Sequence, residues 1–193
     1  MSAKQVVLVT GPARSGKSEW AEMLAEQMAQ PTIYVATARV DPSDAEWVAR
    51  IERHRMRRMS SWKTMEVPTE LAQTIQSAPP NYCLLVDSLG TWVANLLDCD
   101  RPTWDEIERG LLSSLHDSTA DAVIFVAEET GWGVVPAYPM GRLFRDRLGT
   151  LVRRLGAIAH PVYLVTGGHV LNLSRLGSPL PPGNPESEDS LPE

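Results

Sequence analysis

An octet near the start of the chain has the spacing of a phosphate-binding loop. It fits the pattern G-x-x-x-x-G-K-[ST] and consists of Gly11, Pro12, Ala13, Arg14, Ser15, Gly16, Lys17 and Ser18. Glycines let successive N–H groups surround a phosphate at the N-terminus of a helix, where the helix dipole favours an anion. Lys17 is predicted to reach the β- and γ-phosphates of a nucleotide, and the Ser18 hydroxyl to bind Mg²⁺. The apolar strand pattern before the octet and the helical pattern after it favour a nucleotide site over a chance glycine turn.

A second candidate for chemistry is a histidine within an arginine-rich segment. Five arginines lie within residues 50–58, around His54: Arg50, Arg53, Arg55, Arg57 and Arg58. A solvated basic helix face explains such a run, and so does triphosphate recognition by the forked donors of arginine. Neighbouring cations disfavour protonation of the imidazole, which keeps it nucleophilic near pH 7. Spacing alone nevertheless favours a structural histidine, which is the commoner case, and leaves the nucleophile as the alternative.

Two further candidates follow buried strands in the predicted order. Asp87 ends the apolar run 82–87, the position at which P-loop proteins place the acid that orients Mg²⁺. The metal role is favoured over the alternative, in which Asp87 caps the next helix. Trp132 lies between two glycines after the apolar run 122–126. It is equally suited to packing on a flat substrate and to fixing its loop onto the core.

The bulk properties exclude several classes of protein. The chain has 193 residues, of which 43% are hydrophobic and 22% charged, as expected for one globular domain. The net charge is −6, and the residues after Ser174 carry −3 of it, which argues against a non-specific nucleic-acid binder. Two cysteines do not form a disulfide scaffold. Without a signal-peptide pattern or an apolar run near ~20 residues, we expect a cytoplasmic protein with no membrane span.

Strand and helix patterns alternate along the chain, which predicts an α/β fold with a mostly parallel central sheet flanked by helices. The predicted strands are 6–10, 32–36, 62–67, 82–87, 122–126 and 161–166. The predicted helices are 20–28, 41–56, 69–76, 89–98, 103–118 and 141–159, the fifth beginning at a capping box of Thr103 and Glu106. Residues 1–176 are expected to form one catalytic domain, and the proline- and acid-rich residues 177–193 a disordered tail.

The order of the motifs resembles that of one enzyme family. The quoted stretches are T-G-P-A-R-S-G-K-S at 10–18, Y-V-A-T-A at 34–38, R-I-x-x-H at 50–54 with Arg58, Trp62, Thr64 and Glu66, D-S-L-x-T-W-x-x-N-L-L at 87–97, E-x-G-x-G-x-V-P at 129–136 and F-R-D at 144–146. This series, which covers residues 6 to 168, is similar to that of the bifunctional adenosylcobinamide kinases / adenosylcobinamide-phosphate guanylyltransferases of cobalamin synthesis.

The resemblance implies a P-loop NTPase-type three-layer fold and two activities. A nucleoside triphosphate, ATP or GTP, phosphorylates adenosylcobinamide; GMP then passes from GTP to that phosphate through a guanylylated histidine. The family's histidine falls on His54 and its acidic metal position on Asp87. Its nucleotide contacts fall on Thr37, Ala38, Arg39, Arg55, Met56, Arg57, Arg58 and Glu66. A homotrimer acting on small molecules, with Mg²⁺ and no nucleic acid, is implied as well.

The chain departs from the family's pattern at Met59, at residues 137–139 and at Val152, the last two on the expected cobinamide side. Two alternatives therefore stay open. One is a small-molecule P-loop kinase without guanylyl transfer, and the other is a regulatory module that binds GTP.

Overall fold

A computed structural model describes residues 4–28, 30–39 and 61–181 of the chain. The helix predicted over 41–56 lies outside the described residues, and His54 and the arginines around it lie there too. Met59 and most of the predicted tail are also outside them.

Among the described residues, seven strands form one sheet. They are β1 (Gln5–Gly11), β2 (Thr32–Ala36), β3 (Lys63–Glu66), β4 (Cys83–Asp87), β5 (Ala122–Glu128), β6 (Val162–Thr166) and β7 (His169–Asn172). Their spatial order is β3-β2-β4-β5-β1-β6-β7, and every pair is parallel except β6 with β7. Because the parallel strands share one direction, their carboxyl ends lie along one edge of the sheet.

Helices cover both faces of this sheet. They are α1 (Lys17–Gln27), α2 (Leu71–Gln76), α3 (Leu89–Asn95), α4 (Arg101–Asp117), α5 (Pro139–Ile158) and α6 (Leu173–Leu176). Alternate residues of β1 point to opposite faces, so Leu8 packs in the core beneath α2 to α5, whereas Val7 and Val9 pack beneath α1. The predicted α/β fold, three layers with a mostly parallel central sheet, is confirmed.

Three local predictions are wrong. The capping box is not formed: Asp100 caps α4 by accepting a hydrogen bond from the Thr103 backbone N–H at 3.0 Å, and proline occupies the first turn. Helix α5 begins at Pro139 rather than near Gly141. Strand β5 continues to Glu128, where the sequence analysis expected a loop.

Candidate active site

The phosphate loop runs between the end of β1 and the start of α1. A Cβ at Gly11 would collide with the Val165 carbonyl oxygen of the neighbouring β6, so only glycine lets the loop leave the sheet here. Gly16 precedes α1 with φ at 92°, a left-handed conformation that favours glycine. The two glycines of the motif are thus required by the backbone for two different reasons.

Several polar groups around this loop lack protein partners. The hydroxyls of Thr10 and Ser15 are buried without a hydrogen bond among the described residues. No side chain caps the N-terminus of α1, because its N-cap residue is Gly16. Buried polar groups are normally paired, so this concentration of open donors fits an anion such as a phosphate.

Lys17 is the buried cation of the loop. The residue is 7% exposed, and its Nζ donates a long 3.5 Å hydrogen bond to the Pro12 carbonyl oxygen. Its one carboxylate neighbour among the described residues is Glu128, whose Oε1 lies 4.0 Å from Nζ. A buried ammonium held this loosely is suited to a negatively charged ligand.

Asp87 lies at the carboxyl end of β4, and its Oδ2 accepts a 2.7 Å hydrogen bond from the hydroxyl of buried Tyr34. The alternative in which Asp87 caps the next helix is wrong, because the Ser88 side chain caps α3 by accepting from the Thr91 N–H. Asp87 is therefore left at the sheet edge without a capping task.

The predicted Mg²⁺ donors fit the ion in their chemistry. Ser18 lies in the first turn of α1, which packs against β1, β4 and β5, and Asp87 ends β4; both are partly exposed oxygen donors. Mg²⁺ prefers such oxygens and is commonly bound by one or two protein groups together with phosphates and water. Across residues 4–28, 30–39 and 61–181, no three His, Cys, Asp or Glu side chains form a metal-binding group.

The predicted nucleotide contacts are spread along the edge of the sheet at which its parallel strands end. Thr37 follows β2, which is three strands from β1, or about 14 Å at ~4.8 Å per strand. Glu66 ends β3, four strands from β1, which is about 19 Å. Residues 11–18 thus lie apart from Thr37, Ala38, Arg39 and Glu66. Asp87 lies between them, because it ends β4, two strands from β1, and its carbonyl oxygen accepts a 3.4 Å hydrogen bond from the Thr37 N–H.

Thr37 is fully buried and holds two strand ends together. Its Oγ1 donates to the Ser88 carbonyl oxygen at 2.8 Å and accepts from the Ser88 N–H at 3.0 Å. The Asn95 side chain donates to the Thr37 carbonyl oxygen at 2.7 Å and to that of Pro68 at 3.0 Å. The Thr37 hydroxyl is thus engaged within the protein, whereas Ala38 and Arg39 are more accessible.

Glu128 is a further candidate site residue, which was not predicted from the sequence. It lies opposite Gly11 in the register of β1 and β5, so its carboxylate stands beside the phosphate loop. The available signal was an acid at the end of an apolar run, the same signal that selected Asp87. Ending the predicted strand at residue 126 removed Glu128 from consideration.

The loop after β5 exposes a row of large apolar side chains. Trp132 is 69% exposed, Val134 95% and Tyr138 80%. The interpretation in which Trp132 fixes the loop onto the core is wrong, and packing on a flat substrate stays a prediction. Among the departures from the family's pattern, residues 137–139 are exposed in this row, whereas Val152 packs against the core.

Comparison with known proteins identifies the family of this chain. A family model described as cobinamide kinase / cobinamide phosphate guanyltransferase matches residues 7–173. The chain belongs to this family. The resemblance stated from the motifs is thereby confirmed, and so is the prediction of an enzyme of this family.

Three relatives agree with this family, each named a bifunctional adenosylcobalamin biosynthesis protein. CobP of Pseudomonas aeruginosa is 39% identical over 90% of this chain and 98% of its own. CobU of Escherichia coli is 36% identical and CobU of Salmonella typhimurium 35%, each over 84% of this chain and 96% of its own. An ATPase of a bacterial type III secretion system matches at 13% identity and a TM-score of 0.44, over 84% of this chain and 51% of its own, which is too weak to support an argument. No helix in the described part of this chain is long and apolar enough to cross a membrane.

Proposed function

We propose that this chain phosphorylates adenosylcobinamide with a nucleoside triphosphate and then transfers GMP from GTP to the adenosylcobinamide phosphate. The observation that carries the proposal is the phosphate loop, with buried Lys17 and unpaired donors, in a chain that belongs to this family. The names of the relatives support both activities.

For the kinase half, the loop and Lys17 hold the β- and γ-phosphates of the nucleotide. Phosphoryl transfer needs little beyond positioning and charge neutralisation, and a buried cation among backbone donors supplies both. Ser18 and Asp87 are the residues that would hold Mg²⁺, which neutralises phosphate charge when it is bound. The substrate hydroxyl then approaches the γ-phosphorus from the edge of the sheet at which the parallel strands end.

For the guanylyl half, His54 is the proposed nucleophile. It attacks the α-phosphorus of GTP, pyrophosphate leaves, and GMP is held on the imidazole as a phosphoramidate until adenosylcobinamide phosphate takes it. Arg55, Arg57 and Arg58 surround His54 in sequence and are proposed to bind the triphosphate. Thr37 to Arg39 and Glu66 lie at the ends of strands three and four positions from β1, and they are proposed to contact the nucleotide in this half.

The exposed apolar row after β5 is proposed to contact the corrin ring of the substrate. It follows Glu129, whose backbone N–H donates a 2.9 Å hydrogen bond to the Gly11 carbonyl oxygen, so the row begins at the phosphate loop. A large flat macrocycle is suited to an indole that is 69% exposed. A homotrimer located in the cytoplasm completes the proposal, and sedimentation of the purified chain tests its assembly.

Labelling tests the histidine mechanism. Incubation with GTP labelled at the α-phosphate is expected to give a protein-bound label that is labile in acid and stable in base. The label should disappear in His54→Ala and persist in the control His116→Ala, because His116 is exposed at the end of α4. Wild-type protein that takes up no label would overturn the guanylyl half and leave the monofunctional kinase.

A further inference from the structure

Glu128 stands at the mouth of the phosphate loop, and the proposed function has given it no task. It is the last residue of β5 and pairs in register with Gly11, the first residue of the loop. Asp87 pairs with Val126, two residues earlier on β5, so it lies about 7 Å further back along the sheet. Asp87 and Glu128 therefore lie at different depths along the sheet.

The fold holds the Glu128 carboxylate in a defined place. Its Oε2 accepts a 2.9 Å hydrogen bond from the Gly90 backbone N–H. A Cβ at Gly90 would collide with that same Oε2 and lie 2.8 Å from its carboxyl carbon, so the position is open to this side chain because residue 90 is glycine. Contacts from β5 and α3 thus orient the carboxylate.

The other carboxylate oxygen is available for chemistry. Oε1 faces Lys17 Nζ at 4.0 Å, which is longer than a hydrogen bond, and the Glu128 side chain is 26% exposed. A triphosphate in the loop would draw Lys17 to its β- and γ-phosphates, because those oxygens carry more charge than one carboxylate. Oε1 would then face the γ-phosphate side of the loop, from which the acceptor must approach.

We infer that Glu128 is the general base of the kinase half, an inference that rests on the proposed function. The carboxylate takes the proton of the acceptor hydroxyl while the hydroxyl oxygen forms a bond to the γ-phosphorus. The bond from the γ-phosphorus to the β–γ bridging oxygen breaks, and its electron pair leaves on the nucleoside diphosphate. Atoms and charge balance without any further reactant.

The two halves of the reaction depend on this group differently. The acceptor of the kinase half is a hydroxyl, which must lose a proton, whereas the acceptor of the guanylyl half is a phosphate that is already ionised. A general base at Glu128 is therefore needed in one half only. A residue that merely supports the fold would affect both.

The test uses Glu128→Gln, because glutamine keeps the acceptor for the Gly90 N–H and loses the ability to take a proton. Adenosylcobinamide is supplied for the kinase half and adenosylcobinamide phosphate for the guanylyl half. We expect kcat of the kinase half to fall by about 10²- to 10³-fold. The guanylyl rate and the nucleotide Kd should stay within about threefold of wild type. Glu106→Gln removes an equal charge from an exposed position on α4 and should change neither half.

The outcomes separate this inference from the proposed function. A Glu128→Gln kinase rate within threefold of wild type overturns the inference alone, as does an equal loss in both halves. A wild-type enzyme inactive on the hydroxyl acceptor overturns the proposed kinase and the inference with it. Should Glu128→Gln not fold, Glu128→Asp withdraws the carboxylate by one methylene and should lower the kinase rate about tenfold, again without affecting guanylyl transfer.

Discussion

Within residues 4–28, 30–39 and 61–181, two cations are buried, Lys17 and Arg147, and their surroundings differ. Lys17 is 7% exposed and Arg147 is 6% exposed. Arg147 donates to the carbonyl oxygens of Leu96, Leu97 and Cys99 at 2.9, 3.4 and 2.6 Å. Its guanidinium also lies 5.0 Å from the centre of the Trp104 ring. Lys17 has one carbonyl at 3.5 Å and one carboxylate at 4.0 Å.

The difference indicates what each cation does. Arg147 satisfies the carbonyl groups at the end of α3 and joins that helix to α5, so its partners are all within the fold. Lys17 lies among groups that the fold leaves unpaired, including the Thr10 and Ser15 hydroxyls. We therefore expect Arg147 to stabilise the protein and propose that Lys17 binds a ligand.

Removing the loop cation should give the largest effect on activity. Lys17→Met keeps the length of the side chain and removes its charge, so we expect the kinase rate to fall by at least about 10³-fold. The free energy of unfolding without nucleotide should change by less than about 1 kcal/mol, because Lys17 has few partners to lose and its neighbour Glu128 is partly exposed and keeps the Gly90 N–H. Steady-state kinetics and urea unfolding measure the two quantities. A large loss of stability would remove the contrast with Arg147.

Removing the other cation should give the opposite pattern. Arg147→Met removes three hydrogen bonds to carbonyl oxygens, which should cost about 2 to 4 kcal/mol of unfolding free energy. The folded fraction should retain most of its kinase rate, because the hydrogen-bond partners of Arg147 in the described part of the chain are Leu96, Leu97 and Cys99, which lie outside the candidate site. Urea unfolding measures the loss, with Arg109→Met on the exposed face of α4 as the control, expected within about 0.5 kcal/mol. Equal stability of the two variants would contradict the structural role.

Two glycines, one in the phosphate loop and one in a helix, allow the same comparison between site and scaffold, with smaller expected effects on stability. Gly149 lies within α5 with nothing near the position of a Cβ, so Gly149→Ala should stabilise the protein by about 0.5 to 1 kcal/mol. Gly11→Ala should instead destabilise it and impair nucleotide binding, because the new Cβ meets the Val165 carbonyl. Thermal unfolding with and without nucleotide measures both. A neutral Gly11→Ala would show that the loop does not need its close approach to β6.

The sequence predicts those parts of the site that depend on local pattern. Residues 11–18 and Asp87 were predicted because a glycine motif and an acid after an apolar run are visible within a few residues. Glu128 was not predicted because the predicted strand ended at residue 126, two residues before the end of β5. Its function depends on Gly90 and Lys17, which lie far from it in sequence. The Thr37 contact with Ser88 is likewise made only by the pairing of β2 with β4.

The errors in the predicted secondary structure have similar physical causes. Thr103 and Glu106 have capping-box spacing, but Asp100 followed by Pro102 starts the helix one turn earlier. Strand β7 follows the tight turn at Gly167 and Gly168, and its exposed residues give no apolar alternation. Short edge elements of this kind are stabilised by the strand beside them, here β6, so the sequence pattern alone does not mark them.

The most direct test of the account follows the γ-phosphate of the nucleotide. Wild-type protein, Mg²⁺ and γ-labelled ATP or GTP are incubated with and without adenosylcobinamide, and the corrinoid is separated from inorganic phosphate. We expect label in the corrinoid with wild-type protein and none with Lys17→Met. Label released only as inorganic phosphate, at the same rate with and without adenosylcobinamide, would contradict this expectation.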